Sequence, residues 1–141
     1  MKVYRFLLED ELNKIINNET SRLGSVYNAK KPKNLYNTFR YKQGVKYLHF
    51  FKNKKDCVLA KRIHINNPQK AYICTFDIPA FFLLIHSGTG YYPPHGYDLD
   101  HESVREFAIE SSTFNTKWLV SSEPYEQAMK EQETENNDFV L

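Results

Sequence analysis

The chain has 141 residues, of which 41% are hydrophobic and 15% aromatic, and its formal net charge is +2. This composition predicts one packed domain. It excludes a membrane-spanning protein, because the longest apolar run, at residues 80–85, is far shorter than the about 18 residues that a membrane helix needs. Charged residues interrupt the N-terminal segment, so we expect no signal peptide and no membrane partner. Cys57 and Cys74 allow at most one disulfide and show no metal-ligand spacing, which favours reduced thiols in a cytoplasmic protein.

The charges are distributed unevenly along the chain. Residues 22–70 contain 13 of the 19 basic residues and a single acid, Asp56, whereas residues 98–141 contain 11 acids and three bases. A basic middle segment favours an anionic partner such as nucleic acid, a nucleotide phosphate or an acidic protein. A solvated lysine face explains the same pattern, so both interpretations stay open.

Hydrophobic periodicity, turn residues and helix-start signals predict a series of short helices and strands. In chain order we expect a strand over 3–7, a helix from 9 to 17, strands over 45–51 and 72–78 separated by a helix over 53–63, a short apolar helix over 79–85, strands over 102–110 and 117–121, and a polar helix from 124 to about 130. This order indicates an α+β domain over residues 1–130. Residues 131–141 are acidic and polar, which predicts a disordered tail.

Glu106 lies in the strand predicted over residues 102–110, on the same face as Val104 and Ala108. Burying a carboxylate on a packed strand face costs desolvation free energy, so such a residue is expected to be paired or to have a function. The alternative is that this face is exposed and Glu106 lies in water. Arg5 is a second charged residue inside a predicted strand. His49 lies among large apolar residues of the strand over 45–51, where a histidine is more often a core residue than a ligand.

The loop over residues 86–101 is rich in glycine, proline and tyrosine, which is typical of a functional loop rather than a simple connector. It contains three histidines and two aspartates, but their spacing matches no metal-binding motif. We therefore predict no metal.

Several short motifs occur in an order found in one enzyme family. Tyr4-Arg5 is followed directly by an acidic helix start, a middle strand runs from Tyr47 to Phe51, and Glu106 follows an aromatic loop. Together with Trp118, these motifs resemble the mono-ADP-ribosyltransferases over residues 3–121, in particular the heat-labile-enterotoxin-like branch and its DNA-modifying relatives. The resemblance implies an ADP-ribosyltransferase-like fold of two packed, mainly antiparallel sheets with short flanking helices. It also implies transfer of ADP-ribose from NAD to a macromolecular acceptor, protein or nucleic acid.

The resemblance assigns Glu106 as the catalytic residue, which stabilises an oxocarbenium-like transition state. It assigns Arg5 to a phosphate or ribose of NAD, because a guanidinium bonds phosphate oxygens in pairs. The family's Ser-Thr-Ser motif is absent, and His49 stands in its place. Val104, two residues before Glu106, replaces the Glu or Gln found in many arginine- and asparagine-modifying members, which makes arginine doubtful as the acceptor. This assignment requires the side chains of Arg5, His49 and Glu106 to converge on one cleft.

The remaining assignments complete the NAD site and the acceptor site. His49 is expected to orient the ribose or the nicotinamide amide, with Tyr47 or Phe50 as a stacking surface. The residues expected to meet the acceptor are Tyr91, Tyr92 and Tyr97.

Two hypotheses from other functional classes stay open. A non-catalytic module would bind RNA, DNA or an acidic protein through residues 22–70, with an affinity that falls steeply with salt and does not depend on Glu106. A small interaction or inhibitor protein would dock a partner through residues 131–141. The sequence does not indicate an oligomeric state.

Overall fold

A computed structural model describes residues 1–17, 27–28, 45–61, 70–85 and 98–138. These residues form seven strands, three α-helices and three short 3-10 turns. The strands are β1 (Lys2–Leu8), β2 (Tyr27–Asn28), β3 (Lys46–Phe51), β4 (Ala71–Asp77), β5 (Leu84–Ile85), β6 (Glu106–Glu110) and β7 (Leu119–Pro124). The helices are α1 (Glu9–Ile16), α2 (Lys54–Lys61) and α3 (Tyr125–Asp138), and the turns span Ala80–Phe82, Ser111–Thr113 and Thr116–Trp118.

The described strands form one antiparallel sheet in the order β5-β6-β3-β1-β4-β7, with β2 alongside β3. β1 pairs with β4 along its whole length, from Lys2 opposite Asp77 to Leu8 opposite Ala71. Between β1 and β3, in contrast, the described register contains one pair, Tyr4 opposite Phe51. The sheet therefore consists of two halves, β5-β6-β3 and β1-β4-β7, that meet at this junction. The α+β class is confirmed, whereas the prediction of two packed sheets is wrong for the described residues, because this junction joins the halves into one sheet.

Hydrophobic side chains are packed on both faces of the sheet. On the first face, here called the α1 face, Leu12 and Ile15 of α1 cover a core that includes Val3, Leu7, Leu48, Phe50, Phe76 and Phe107. On the second, the α2–α3 face, the buried residues are Cys57, Val58, Ala71, Ile73, Tyr125 and Ala128. Each central strand therefore contributes alternate residues to two different cores, which is why these strands are hydrophobic on both sides.

α1 begins at the end of β1, as its acidic residues predict. Glu9, Asp10 and Glu11 lie in its first turn, where the helix dipole favours negative charge. Glu11 Oε1 also accepts a hydrogen bond of 3.2 Å from the backbone N–H of Leu8, which is otherwise outside the helix ladder. These contacts fix the sharp change from strand to helix and place α1 over its face of the sheet.

α3 extends through Asp138, into the segment 131–141 for which the sequence predicts a disordered tail. Tyr125 and Ala128 are buried at its start, and the Tyr125 hydroxyl donates a 3.1 Å hydrogen bond to the backbone oxygen of Val58. Further along, Glu131 lies 3.5 Å from the Lys54 ammonium on α2. These contacts anchor a helix whose polar composition by itself is typical of disorder.

Several predicted elements have different boundaries in the structure. The strand predicted over 102–110 begins only at Glu106. The apolar segment 80–85 is a 3-10 turn followed by β5, not a helix, because Leu84 and Ile85 pair with Ala108 and Phe107 of β6. The last strand begins only at Leu119, after the Thr116–Trp118 turn. Within the ranges given above, no helix is long and apolar enough to cross a lipid bilayer.

Candidate functional site

Glu106 and His49 lie on adjacent strands and share the α2–α3 face. In the register of β3 and β6, Phe51 is opposite Glu106 and His49 is opposite Ala108. Glu106 is therefore the diagonal neighbour of His49, at a typical separation of about 7–8 Å between such positions. Both residues are partly exposed to solvent. The structure thus brings together the two residues that the sequence assigned to the catalytic carboxylate and to the orientation of the ribose.

The surface around this pair is largely apolar. Tyr47, Leu84 and Ala108 form a small buried cluster on the same face, and the half-buried ring of Phe51 lies directly across from Glu106. Because apolar neighbours replace water, a charge that develops near Glu106 interacts with its carboxylate more strongly than it would in bulk solvent. The arrangement can therefore stabilise a cationic group.

Lys52 fixes the chain where it enters β6, a role that sequence reasoning missed. Its backbone N–H donates to the oxygen of Arg105 at 2.8 Å, and its ammonium donates to the oxygen of His101 at 2.9 Å. His101 Nδ1 in turn accepts from the backbone N–H of Ser103 at 3.0 Å. The turn before Glu106 is therefore tied to the end of β3. A basic residue directly after a strand is too common a pattern to reveal such a contact.

Arg5 lies on the opposite face of the sheet from Glu106 and the His49 side chain. Tyr4 is opposite Phe51, and Arg5 is opposite Cys74, so strand alternation directs Arg5 toward the α1 face. The prediction that the side chains of Arg5, His49 and Glu106 converge on one cleft is therefore wrong for Arg5. The same alternation places Phe50, the predicted stacking residue, on the α1 face as well.

Instead, the guanidinium of Arg5 contacts the backbone of His49. Arg5 is only 8% exposed, and its Nη1 donates a 3.0 Å hydrogen bond to the His49 carbonyl oxygen. Its Cζ lies 5.8 Å from the centroid of the Phe50 ring. Burial lowers the pKa of Arg5, and the nearby carboxylate of Glu11 opposes that effect. Arg5 thus holds together the two halves of the sheet at the point where ladder pairing between β1 and β3 gives way.

The remaining sequence predictions fall partly outside the described residues. Three of the predicted residues lie in the segment 86–97, which is outside the described residues: Tyr91, Tyr92 and Tyr97. Most of the basic segment 22–70 is outside the described residues as well. Within that basic segment, Lys54 is described and forms ion pairs with Glu123 and Glu131. Among the residues that the structure places, no three His, Cys, Asp or Glu side chains come together as a possible metal site.

No model of a known protein family matches the chain, and no curated protein matches it. Its function must therefore be inferred from the residues and their geometry.

Proposed function

We propose that this chain is an ADP-ribosyltransferase that uses NAD as its donor substrate, with Glu106 as the catalytic carboxylate. One observation supports the proposal above others. Glu106 and His49 share one face of two adjacent strands, beside the aromatic ring of Phe51, next to the junction of the two sheet halves. A carboxylate can stabilise a developing positive charge, and an aromatic ring offers a surface on which a planar base can stack.

The reaction breaks the bond between C1 of the ribose and the nitrogen of nicotinamide. Nicotinamide leaves with the bonding electron pair, and positive charge develops on the ribose as an oxocarbenium-like centre. The carboxylate of Glu106 stabilises this charge and accepts a hydrogen bond from a ribose hydroxyl. A nucleophile of a protein or nucleic acid then forms the new bond to C1 and loses its proton.

In this proposal, Arg5 and the aromatic stacking residue take roles that differ from the predicted ones, because the strand register places Arg5 and Phe50 on the face opposite Glu106. Phe51, rather than Phe50, offers its ring on the face that carries Glu106, so Phe51 is the stacking surface in this proposal. Arg5 acts as a positioning residue, because its guanidinium bonds the His49 carbonyl instead of facing Glu106. Arg5 thus fixes the backbone of His49, and the position of the His49 side chain depends on that backbone.

The test is the substitution Glu106→Gln, which removes the charge and keeps the shape of the side chain. We expect release of nicotinamide from NAD, and transfer of labelled ADP-ribose to acceptors in a cell lysate, to fall by about 100-fold or more, comparable to the loss of one transition-state contact in other enzymes. Glu126→Gln is the matched control, because Glu126 is exposed on α3. Equal turnover by wild type and Glu106→Gln contradicts the assignment.

A binding measurement separates loss of chemistry from loss of the site. NAD should raise the melting temperature of the wild type, since a ligand that binds only the folded state stabilises it. Glu106→Gln should retain this shift, whereas His49→Ala should reduce it. Absence of any NAD-induced shift and of any turnover refutes the proposal as a whole.

We also infer that the protein functions in a reducing compartment such as the cytoplasm. Cys57 and Cys74 are both buried and form no disulfide. They belong to cores on opposite faces of the sheet, so they are not placed to bridge. Buried reduced thiols are the usual state of cysteine in the cytoplasm. Labelling of the unfolded protein after isolation from cells should find both thiols reactive.

A further inference from the structure

Phe81 is unusually exposed for a phenylalanine. It lies on the Ala80–Phe82 turn that precedes β5, and 86% of its surface is accessible. Its ring packs edge-to-face against Phe82, with centroids 5.4 Å apart and an interplanar angle of 83°. Phe81 therefore presents a large aromatic ring to solvent beside the partly buried ring of Phe82.

A pocket of about 150 Å³ adjoins this ring. Among the described residues, its lining consists of three apolar side chains and two polar ones, Phe81, Phe82, Leu84, Glu110 and Thr113. The Thr113 hydroxyl donates a 2.7 Å hydrogen bond to the backbone oxygen of Glu110, which fixes the turn after β6. An exposed aromatic ring and a carboxylate therefore line the same small pocket.

We propose that this pocket binds the arginine side chain of a protein partner. A guanidinium is planar and permanently charged, so it can stack on the Phe81 ring while it donates hydrogen bonds to the Glu110 carboxylate. The apolar stem of the same side chain fits against Phe82 and Leu84. Glu110 does not need to give up an existing contact, since one carboxylate offers about four acceptor positions.

The size and charge of the pocket favour a single cationic side chain over other ligand classes. Its volume suits a single side chain and is well below the about 300–1,000 Å³ of sites for whole small-molecule ligands. The carboxylate of Glu110 repels phosphates, which disfavours nucleic acid at this position. Lysine is a weaker fit, because an ammonium cannot stack as a plane or form a paired contact with a carboxylate.

This site is separate from the proposed catalytic residue. Glu110 is four positions beyond Glu106 on the same strand, which corresponds to about 13 Å along β6. The inference does not depend on NAD chemistry, so the two proposals can fail independently.

Trp118 makes the binding measurable, because it is the single tryptophan of the chain and its ring centroid lies 5.2 Å from that of Phe82. The probes are two glycine-flanked peptides without aromatic residues, one with a central arginine and one with the neutral isostere citrulline. We expect the arginine peptide to change the Trp118 emission in a saturable manner, with an affinity at least about tenfold higher than that of the citrulline peptide. Calorimetry measures the same binding without relying on the fluorophore.

Substitutions identify the residues responsible. Phe81→Ala and Glu110→Gln should each lower the affinity for the arginine peptide by about tenfold. Two control variants should bind this peptide with the affinity of the wild type: Glu126→Gln, which is exposed on α3, and Glu106→Gln. Phe81 is exposed, so its replacement leaves the fold intact, and the melting temperature checks this for every variant. Equal binding of the two peptides, unchanged binding by Glu110→Gln, or no heat of binding overturns the proposal. Binding of free methylguanidinium as tight as that of the peptide overturns the assignment to a protein partner.

Discussion

Replacement of Arg5 by alanine tests whether its guanidinium holds the two sheet halves together. In the native protein, Nη1 of Arg5 donates to the His49 carbonyl at 3.0 Å, and the side chain is almost fully buried against Phe50. Arg5→Ala removes this bond and leaves a cavity under α1. Arg5→Met keeps most of the volume without the charge, and Arg5→Lys keeps a charge that cannot reproduce the planar contact.

The expected losses of unfolding free energy differ for the three variants. A hydrogen bond from a charged donor contributes about 1.5–3 kcal/mol. A large-to-alanine change in a core costs about 2–5 kcal/mol. Part of these two losses is offset, because without the guanidinium no charge has to be desolvated on folding. We therefore expect about 3 kcal/mol for Arg5→Ala, which corresponds to about 9 °C in melting temperature at about 3 °C per kcal/mol. Arg5→Met should lose only about 1 kcal/mol, and Arg5→Lys should be less stable than Arg5→Met.

The assay is urea unfolding followed by the emission of Trp118, which gives the transition midpoint and slope for each variant. Arg105→Ala is the matched control, because the Arg105 side chain is 70% exposed and lies 4.0 Å from Asp56. An exposed ion pair of this kind contributes less than about 1 kcal/mol. If Arg5→Ala lies within about 0.5 kcal/mol of the wild type, or if Arg5→Lys is as stable as Arg5→Met, the described role of Arg5 is refuted.

Three further predictions concern Cys74, Tyr125 and Lys54. Burial raises the pKa of Cys74 to about 12, so the folded state keeps a proton that the unfolded state loses at lower pH. The free energy of unfolding should therefore fall as pH rises above about 9, by up to about 1.4 kcal/mol per pH unit more in the wild type than in Cys74→Ala. Urea unfolding at several pH values measures this, and the same pH dependence in both proteins would disprove it. Tyr125→Phe removes the hydrogen bond to the Val58 oxygen and should cost about 1 kcal/mol by the same assay, so unchanged stability contradicts the docking of α3. Burial disfavours the charge of Lys54, but its pairs with Glu123 and Glu131 outweigh this effect and raise its pKa. Because Lys54 is partly exposed, Lys54→Met should lose about 1 kcal/mol or less of unfolding free energy, measured as a shift of the urea midpoint. High salt should make this difference between wild type and variant smaller, because it screens the ion pairs of the wild type.

Local sequence patterns predicted most of the strands because these strands are short, largely apolar runs bounded by turn residues. β1, β3 and β4 were each predicted to within about one residue of their observed bounds, whereas β6 begins at Glu106, four residues after the predicted start at 102. The relation between strands was harder to predict, because it depends on register. Whether Arg5 shares a face with His49 is decided by the pairing of Tyr4 with Phe51, and a shift by one residue reverses it. No pattern within either strand contains that information.

The C-terminal helix shows a second limit of the sequence pattern. Its polar composition predicted disorder from residue 131. Tyr125 and Ala128, which pack on one side of the helix, lie within the predicted range 124–130, so they gave no signal for the turns beyond it. The contact between Lys54 and Glu131 joins residues far apart in the chain, so only the folded structure reveals it.

The single residue pair between β1 and β3 has a consequence for hydrogen exchange. β4 has neighbouring strands on both sides along its length, so its amides should exchange with deuterium only in openings that approach complete unfolding. Phe51 belongs to the single described pair between β1 and β3, so its amide lies where the pairing of these two strands ends. It should exchange through a smaller, local separation of the two sheet halves, faster than the amides of β4, and in Arg5→Ala this gap in exchange rate should widen.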